Sequence, residues 1–243
     1  MGMTTYNMAP EAEPKRINTG VIGLDDILYG GVPVANQTIV SGDPGTGKTL
    51  LGFEILYRNA KINIPTTFIT LEEGKINLIE NVKSAYTYFD DIDDLIASKL
   101  LQVYELQVLD TFKSRENWQA FIVGINKIVQ SNASKILVLD SLTPLRPLAE
   151  DDRTFTRSIN SMVENFRNLG LTTFINTETN AEIKNEAPGL LGTYMFDGMI
   201  RLSTSSAQNS FQYLMRVIKM RRSNHRNSAM PYEVTQKGIN VFK

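Results

Sequence analysis

The 243-residue sequence contains no cysteine and only one histidine, His225. Without cysteine there can be no disulfide bonds, thiolate metal sites, iron–sulfur clusters or cysteine nucleophiles. A single histidine also excludes a multi-histidine metal centre. These two absences remove several large classes of metalloprotein and hydrolase from consideration.

The sequence also lacks a strong charge imbalance and long apolar runs. It has 25 basic and 26 acidic residues, a formal net charge of −1. This balance argues against a protein held globally on DNA by charge, although it leaves room for a local basic patch. No apolar run approaches the roughly 18–20 residues that span a bilayer. We therefore expect a soluble cytoplasmic protein with no membrane span.

Apolar strand segments alternate with amphipathic helical segments from Asn18 onward. Strands are predicted at 37–41, 66–71, 100–104, 135–140 and 172–176, and helices at 48–60, 76–88, 118–130 and 153–169. This alternation predicts an α/β fold with a mostly parallel central sheet and helices on both faces. Four β segments after residue 197 predict an antiparallel C-terminal extension. Residues 1–16 are expected to be flexible, and the acidic residues 90–94 to form a solvated loop.

Residues 42–49, Gly-Asp-Pro-Gly-Thr-Gly-Lys-Thr, match the P-loop pattern G-x-x-x-x-G-K-[ST] between a predicted strand and a predicted helix. Glycines let the backbone curl so that successive N–H groups face phosphate oxygens, and the helix N-terminus adds positive charge. Lys48 is expected to contact the β- and γ-phosphates, and Thr49 to offer its hydroxyl to Mg²⁺. The predicted nucleotide-binding residues of this loop are Asp43, Pro44, Gly45, Thr46, Gly47, Lys48, Thr49 and Leu50.

A metal-site carboxylate is predicted at Asp140. It follows the apolar segment Ile136-Leu137-Val138-Leu139, and open α/β sheets place ligands at the carboxyl ends of such buried strands. Asp140 is expected to bond the Thr49 hydroxyl or a metal-bound water. The predicted cofactors are therefore ATP and Mg²⁺, with Thr49 and Asp140 at the metal.

Two adjacent acids, Glu72 and Glu73, end the second predicted strand. Because strand side chains alternate, they should not face the same way. One could activate a water for in-line attack on the γ-phosphate, while the other pairs with a cation or a helix N-terminus. The alternative is that both belong to a solvated loop.

Several motifs together resemble one family. They are Thr19-Gly20-Val21-Ile22-Gly23-Leu24-Asp25, Tyr29-Gly30-Gly31-Val32-Pro33, the Glu72-Glu73 strand, Leu139-Asp140-Ser141-Leu142, Thr177-Glu178-Thr179 and Lys219-Met220-Arg221. From about Asn18 to Phe242 the sequence is similar to RecA/RadA-type ATPases, and within them to the KaiC-like family. The resemblance implies a RecA-like P-loop NTPase fold and a single ATPase domain at 17–243.

The resemblance also implies residue roles and an assembly. Glu72 would be the general base and Glu73 its supporting partner. Lys219 and Arg221 would act in trans on a neighbour's γ-phosphate, and Ser223 and His225 would lie near the sugar and base. The implied assembly is a homo-oligomeric ring, a hexamer, that hydrolyses ATP to ADP and phosphate. Arg222 departs from the family, which usually has glycine there, and this leaves the local backbone geometry open.

Other interpretations remain at this stage. The basic cluster at 216–226 could be a solvated strand or a nucleic-acid patch, although contact with a neighbour's ATP is favoured. The chain could instead be an ATP-binding regulatory or assembly module with little turnover and a protein partner, like the archaellum-motor protein FlaH. A RadA-paralogue recombination factor that binds DNA is the third hypothesis.

Overall fold

A nine-stranded sheet and a small two-stranded ladder organise the protein in a computed structural model, which describes residues 14–106, 115–178, 194–207 and 210–242. The strands are β1 (Arg16–Ile17), β2 (Val32–Pro33), β3 (Gln37–Gly42), β4 (Thr66–Thr70), β5 (Leu101–Glu105), β6 (Ile136–Asp140), β7 (Thr172–Glu178), β8 (Gly198–Ala207), β9 (Ser210–Met220), β10 (Met230–Thr235) and β11 (Gly238–Val241). The helices are α1 (Leu24–Ile27), α2 (Lys48–Ala60), α3 (Lys75–Ala85), α4 (Ile92–Ala97), α5 (Arg115–Ser131) and α6 (Asp152–Asn168), with a 3-10 helix at Thr143–Leu148. Most of the segment predicted to be flexible, 1–16, lies outside the described residues, and its last residue pairs with β2.

The large sheet has the strand order β11-β10-β9-β8-β3-β7-β6-β4-β5. The six strands from β8 to β5 run parallel to one another. Strands β9, β10 and β11 continue the sheet in antiparallel pairing. The predicted parallel core with an antiparallel extension at one edge is therefore confirmed.

Helices cover both faces of the parallel strands. In β6 the side chains alternate, because successive residues of a strand point to opposite faces. Val138 packs into the apolar cluster that contains residues of α2, α3 and α4. Leu137 and Leu139 pack into the cluster formed with α5 and α6. Within the described ranges, no helix has the length and apolar character needed to cross a membrane.

The acidic residues 90–94 do not form the loop that their composition predicts. They lead into and begin α4, whose Ile92 and Leu95 are buried and so dock the helix on the core. Asp91 precedes the helix, accepts a hydrogen bond of 2.6 Å from the Tyr57 hydroxyl, and forms an ion pair with Lys61. The prediction of a solvated loop was therefore wrong, because two apolar side chains three residues apart outweighed four acids.

Candidate functional site

The loop that joins β3 to α2 has the curled backbone that its glycines predict. Gly45 and Gly47 have φ of 78° and 84°, a left-handed conformation that favours glycine. A Cβ on Gly42 would lie 2.6 Å from Thr46 Oγ1, so that position is restricted to glycine as well. The exposed Pro44 lies at the tip, and Leu50 packs against the core from the first turn of α2.

Hydrogen bonds inside the loop hold its shape. Thr46 Oγ1 donates to the Asp43 carbonyl at 2.7 Å. The Lys48 ammonium donates to the carbonyls of Gly42 and Asp43 at 2.8 and 3.1 Å. Burial lowers the pKa of Lys48, and this effect is opposed by the carboxylates of Asp140, Glu178, Glu72 and Asp43. Lys48 therefore lies among the loop carbonyls with four carboxylates around it.

Asp140 lies beside the phosphate loop at the carboxyl end of β6. Its Oδ2 accepts a hydrogen bond of 2.6 Å from the Thr49 hydroxyl, and its Oδ1 accepts one of 2.9 Å from Asn176 Nδ2. Burial raises the pKa of Asp140, while the Thr49 and Asn176 hydrogen bonds act in the opposite direction. A carboxylate and a hydroxyl are the hard oxygen ligands that Mg²⁺ takes, and a cation beside Asp140 would favour its charged form. The pair therefore fits a magnesium site.

Glu72 and Glu73 diverge, but the strand alternation expected for them does not apply, because β4 ends at Thr70 and both residues lie in the turn that follows. Glu72 is exposed and accepts a hydrogen bond from the hydroxyl of Ser141, the residue that follows Asp140. Glu73 is half-buried and accepts a hydrogen bond from Asn81 on α3. The Thr70 hydroxyl shapes this turn, because it donates to the Glu73 carbonyl at 2.8 Å and accepts from the Glu73 N–H at 3.1 Å. Only Glu72 is thereby linked to the Asp140 segment.

Lys219 and Arg221 lie at the opposite end of the sheet from the phosphate loop. The Lys219 ammonium donates to the Phe196 carbonyl at 2.7 Å, and Arg221 donates to the Tyr194 carbonyl at 2.9 Å. The residue that follows Phe196 bonds to Gln37, the first residue of β3, whereas the phosphate loop begins at Gly42. Gln37 and Gly42 are five residue steps apart along β3, which corresponds to about 16 Å. Neither cation is therefore brought to the phosphate loop of its own chain.

Strand β9 ends at Met220, so Arg221, Ser223 and His225 belong to the connection that precedes β10. Ser223 accepts a hydrogen bond of 2.9 Å from Arg16 of β1. The half-buried His225 has its Nδ1 3.4 Å from the Arg226 carbonyl. The two residues predicted near the sugar and base therefore lie in the same connection as Arg221.

Three contacts at the site had not been predicted. Asn176 orients Asp140, Ser141 bonds Glu72, and Tyr232 of β10 donates its hydroxyl proton to the Thr46 carbonyl. A buried Asn in a β-branched strand beside the Asp140 strand was a signal for the first. Tyr232 gave none, because 186 residues separate it from Thr46. Of the predicted Thr177-Glu178-Thr179 segment, Glu178 ends β7, and Thr179 lies outside the described residues.

A phosphate loop after the central parallel strand β3, with a carboxylate from β6 bonded to its threonine, defines a RecA-like P-loop nucleotide-binding protein. The model of the family "ATPase: KaiC" matches residues 17–243. The chain belongs to this family, as its motifs had indicated.

Relatives of this chain are similar to it over nearly its whole length, at low identity. "Circadian clock oscillator protein KaiC 1" of Synechocystis sp. is 28% identical over 241 residues, which cover 96% of this chain and 45% of the relative. KaiC of Synechococcus elongatus is 27% identical over 250 residues, which cover 99% of this chain and 47% of the relative. "UPF0273 protein MK0039" of Methanopyrus kandleri is 27% identical over 241 residues, 93% of this chain and 92% of the relative. The chain thus spans less than half of the clock proteins it matches.

Proposed function

We propose that this protein binds ATP with Mg²⁺ and hydrolyses it to ADP and phosphate, at sites that a neighbouring copy completes in a ring. The observation that carries the proposal is the hydrogen bond of 2.6 Å between Thr49 and Asp140, beside Lys48 and the curled loop. Membership of the KaiC ATPase family supports the same chemistry.

The charges around Lys48 explain why the nucleotide would need a divalent cation. Four carboxylates lie close enough to affect the pKa of this one lysine. A triphosphate would be repelled by this excess of negative charge unless Mg²⁺ accompanied it. Thr49 and Asp140 would hold that ion, which would offset charge on the phosphate oxygens.

The protein's own groups would supply the remaining parts. The N–H groups of residues 45–49 and the N-terminus of α2 would bind the phosphates, and Lys48 would move from the loop carbonyls to a phosphate oxygen. Glu72 would accept a proton from the attacking water. The Ser141 hydroxyl, which donates a hydrogen bond to Glu72, would hold the Glu72 carboxylate in place. Glu73, bonded to Asn81, would support the turn that presents Glu72.

A ring is proposed because two cations lie far from the phosphate loop of their own chain. If copies assemble head to tail, the end of the sheet that carries Lys219 and Arg221 in one copy can face the phosphate loop of the next copy. Charge that develops on the transferred phosphoryl group would then be stabilised by Arg221 from the neighbour. A hexamer and a cytoplasmic location stay predictions.

The test compares ATP binding and phosphate release in Glu72→Gln with the wild type. Loss of the base should lower kcat by about 100-fold or more, with the Kd for ATP within about threefold of wild type. Glu73→Gln is the matched control, because it removes the neighbouring carboxylate that bonds Asn81 instead, and it should lower kcat much less.

Two outcomes would change the proposal. Tight ATP binding by the wild type without phosphate release would favour the regulatory or assembly module. Absence of ATP binding by calorimetry in the presence of Mg²⁺ would overturn the proposal entirely.

A further inference from the structure

The C-terminal hairpin β10–β11 is attached to the phosphate loop by a side chain. Tyr232 is only 3% exposed, and its hydroxyl donates to the carbonyl of Thr46, which is itself buried. Burial raises the pKa of the Tyr232 hydroxyl, so the group keeps its proton and remains a donor. The contact joins the end of the chain to the motif near its beginning.

This contact orients an amide of the phosphate loop. The Thr46 carbonyl and the Gly47 N–H belong to one planar peptide unit, in which they point in opposite directions. A hydrogen bond that holds the Thr46 carbonyl toward β10 therefore directs the Gly47 N–H away from β10. Gly47, with a left-handed φ of 84°, permits more orientations of this peptide than a residue with a Cβ would, and the Tyr232 hydrogen bond favours one of them.

The tyrosine ring is itself held in place. Tyr232 pairs across the sheet with Tyr213 of β9, with ring centroids 5.5 Å apart. Tyr213 in turn contacts Phe211 edge to face at 5.4 Å. Two residues beyond Tyr232, a Val234 methyl lies 3.7 Å from where a Cβ on Gly47 would be, so β10 passes close to the loop at a second point.

The far end of the hairpin is anchored to α2. The Ile239 N–H donates to the buried Glu54 carboxylate at 2.7 Å. The hairpin is thus fixed both to the phosphate loop and to the helix that follows it.

We infer that Tyr232 is a positioning residue for nucleotide binding, which acts through the Thr46 carbonyl to preset the Gly47 amide for a phosphate oxygen. The inference rests on the proposed function, since it assumes that the loop binds ATP. It adds a part of the site contributed by the C-terminal hairpin, outside the phosphate-loop motif.

The test is Tyr232→Phe, which keeps the ring and removes the hydroxyl. The Kd for ATP with Mg²⁺, measured by calorimetry, should rise about three- to tenfold, the usual worth of one hydrogen bond. In turnover, KM should rise while kcat changes by less than about twofold. Val234→Ala changes an exposed side chain at the second point where β10 passes close to the loop, and it should raise the Kd about twofold. This variant serves as the test if Tyr232→Phe does not fold.

The matched control is Tyr57→Phe. Tyr57 lies on α2, the helix that follows the phosphate loop, and its hydroxyl also donates a hydrogen bond, to Asp91 at 2.6 Å, but away from the phosphate loop. Loss of the Tyr57 hydroxyl should lower the melting temperature about as much as Tyr232→Phe does, and it should leave the Kd for ATP unchanged.

A Kd for Tyr232→Phe equal to the wild-type value, or an equal rise in Tyr57→Phe, would overturn the inference while the proposed function stands. Failure of the wild type itself to bind ATP would instead overturn the proposed function.

Discussion

Arg222 is a residue whose backbone conformation conflicts with its side chain. It follows β9 with a φ of 60°, in the left-handed region that glycine adopts without strain. For a residue with a Cβ this conformation costs roughly 1–2 kcal/mol. In return, the Arg222 guanidinium donates to the Val34 carbonyl at 3.1 Å. The backbone geometry that the sequence left open at this position is therefore left-handed, with arginine where the family usually has glycine.

Two variants separate the effects of the backbone strain and of the Arg222 hydrogen bond on stability. Arg222→Ala loses the hydrogen bond and keeps the strain, whereas Arg222→Gly loses the hydrogen bond and relieves the strain. We expect the free energy of unfolding of Arg222→Gly to exceed that of Arg222→Ala by about 1 kcal/mol. Urea denaturation measures this difference. An alanine variant as stable as the glycine variant would show that the position is unstrained.

At the scale of elements, α2 is tied to the β10–β11 turn through a buried acid. Glu54 is fully buried, accepts the Ile239 N–H and pairs with Arg58 at 2.8 Å. A Cβ on Gly238 would lie 2.2 Å from Glu54 Oε1, so the turn needs glycine to fit over the carboxylate. Burial raises the pKa of Glu54 above its ordinary 4.5, although the Ile239 N–H and Arg58 oppose the shift.

This shift predicts how stability depends on pH. Because the folded pKa exceeds the unfolded one, the folded state holds the proton more tightly, and Glu54 costs stability as pH rises from about 4.5 through the raised pKa. Glu54→Gln removes this titration and keeps an acceptor for Ile239. The stability of the wild type relative to Glu54→Gln should therefore fall as pH rises over that interval, as measured by urea denaturation at stepped pH. A difference that is flat or increases with pH would contradict the prediction.

The sequence predicted the elements better than the contacts between distant ones. Helix α2 was predicted with its observed bounds, because the phosphate motif fixes its start. The Thr49–Asp140 bond was one of the two contacts predicted for Asp140, from the chemistry of the motif. Helix α4 was missed because a cluster of acidic residues is typical of a solvated loop. Tyr232 was missed because no local pattern encodes which strand passes behind the phosphate loop.

At the scale of the whole molecule, the two ends of the sheet carry different parts of one proposed reaction. The phosphate loop, Asp140 and Glu72 lie at the carboxyl ends of the parallel strands. Lys219 and Arg221 are hydrogen bonded to the segment beside the start of β3. A copy can therefore offer complementary parts to two different neighbours.

Assemblies that contain two different variants test whether Arg221 acts on the site of a neighbouring copy. Lys48→Ala and Arg221→Ala should each release little phosphate alone. When equal amounts are dissociated and assembled together, a site with an intact loop should face an intact Arg221 in about a quarter of cases, which restores about a quarter of wild-type turnover. Mixing without any gain in turnover would show that Arg221 does not act across a boundary.

The position of β3 has a consequence for how the protein is made. This strand is synthesised before its two sheet neighbours, β7 and β8, which follow more than 130 residues later. A ribosome that adds 5–20 residues per second needs on the order of ten seconds to supply them. During that interval the nascent chain exposes both edges of a strand that is fully buried in the folded protein, a form prone to aggregation. Nascent chains that end before residue 172 should therefore depend on chaperones, and nucleotide could stabilise the protein only after β7 and β8 have been made.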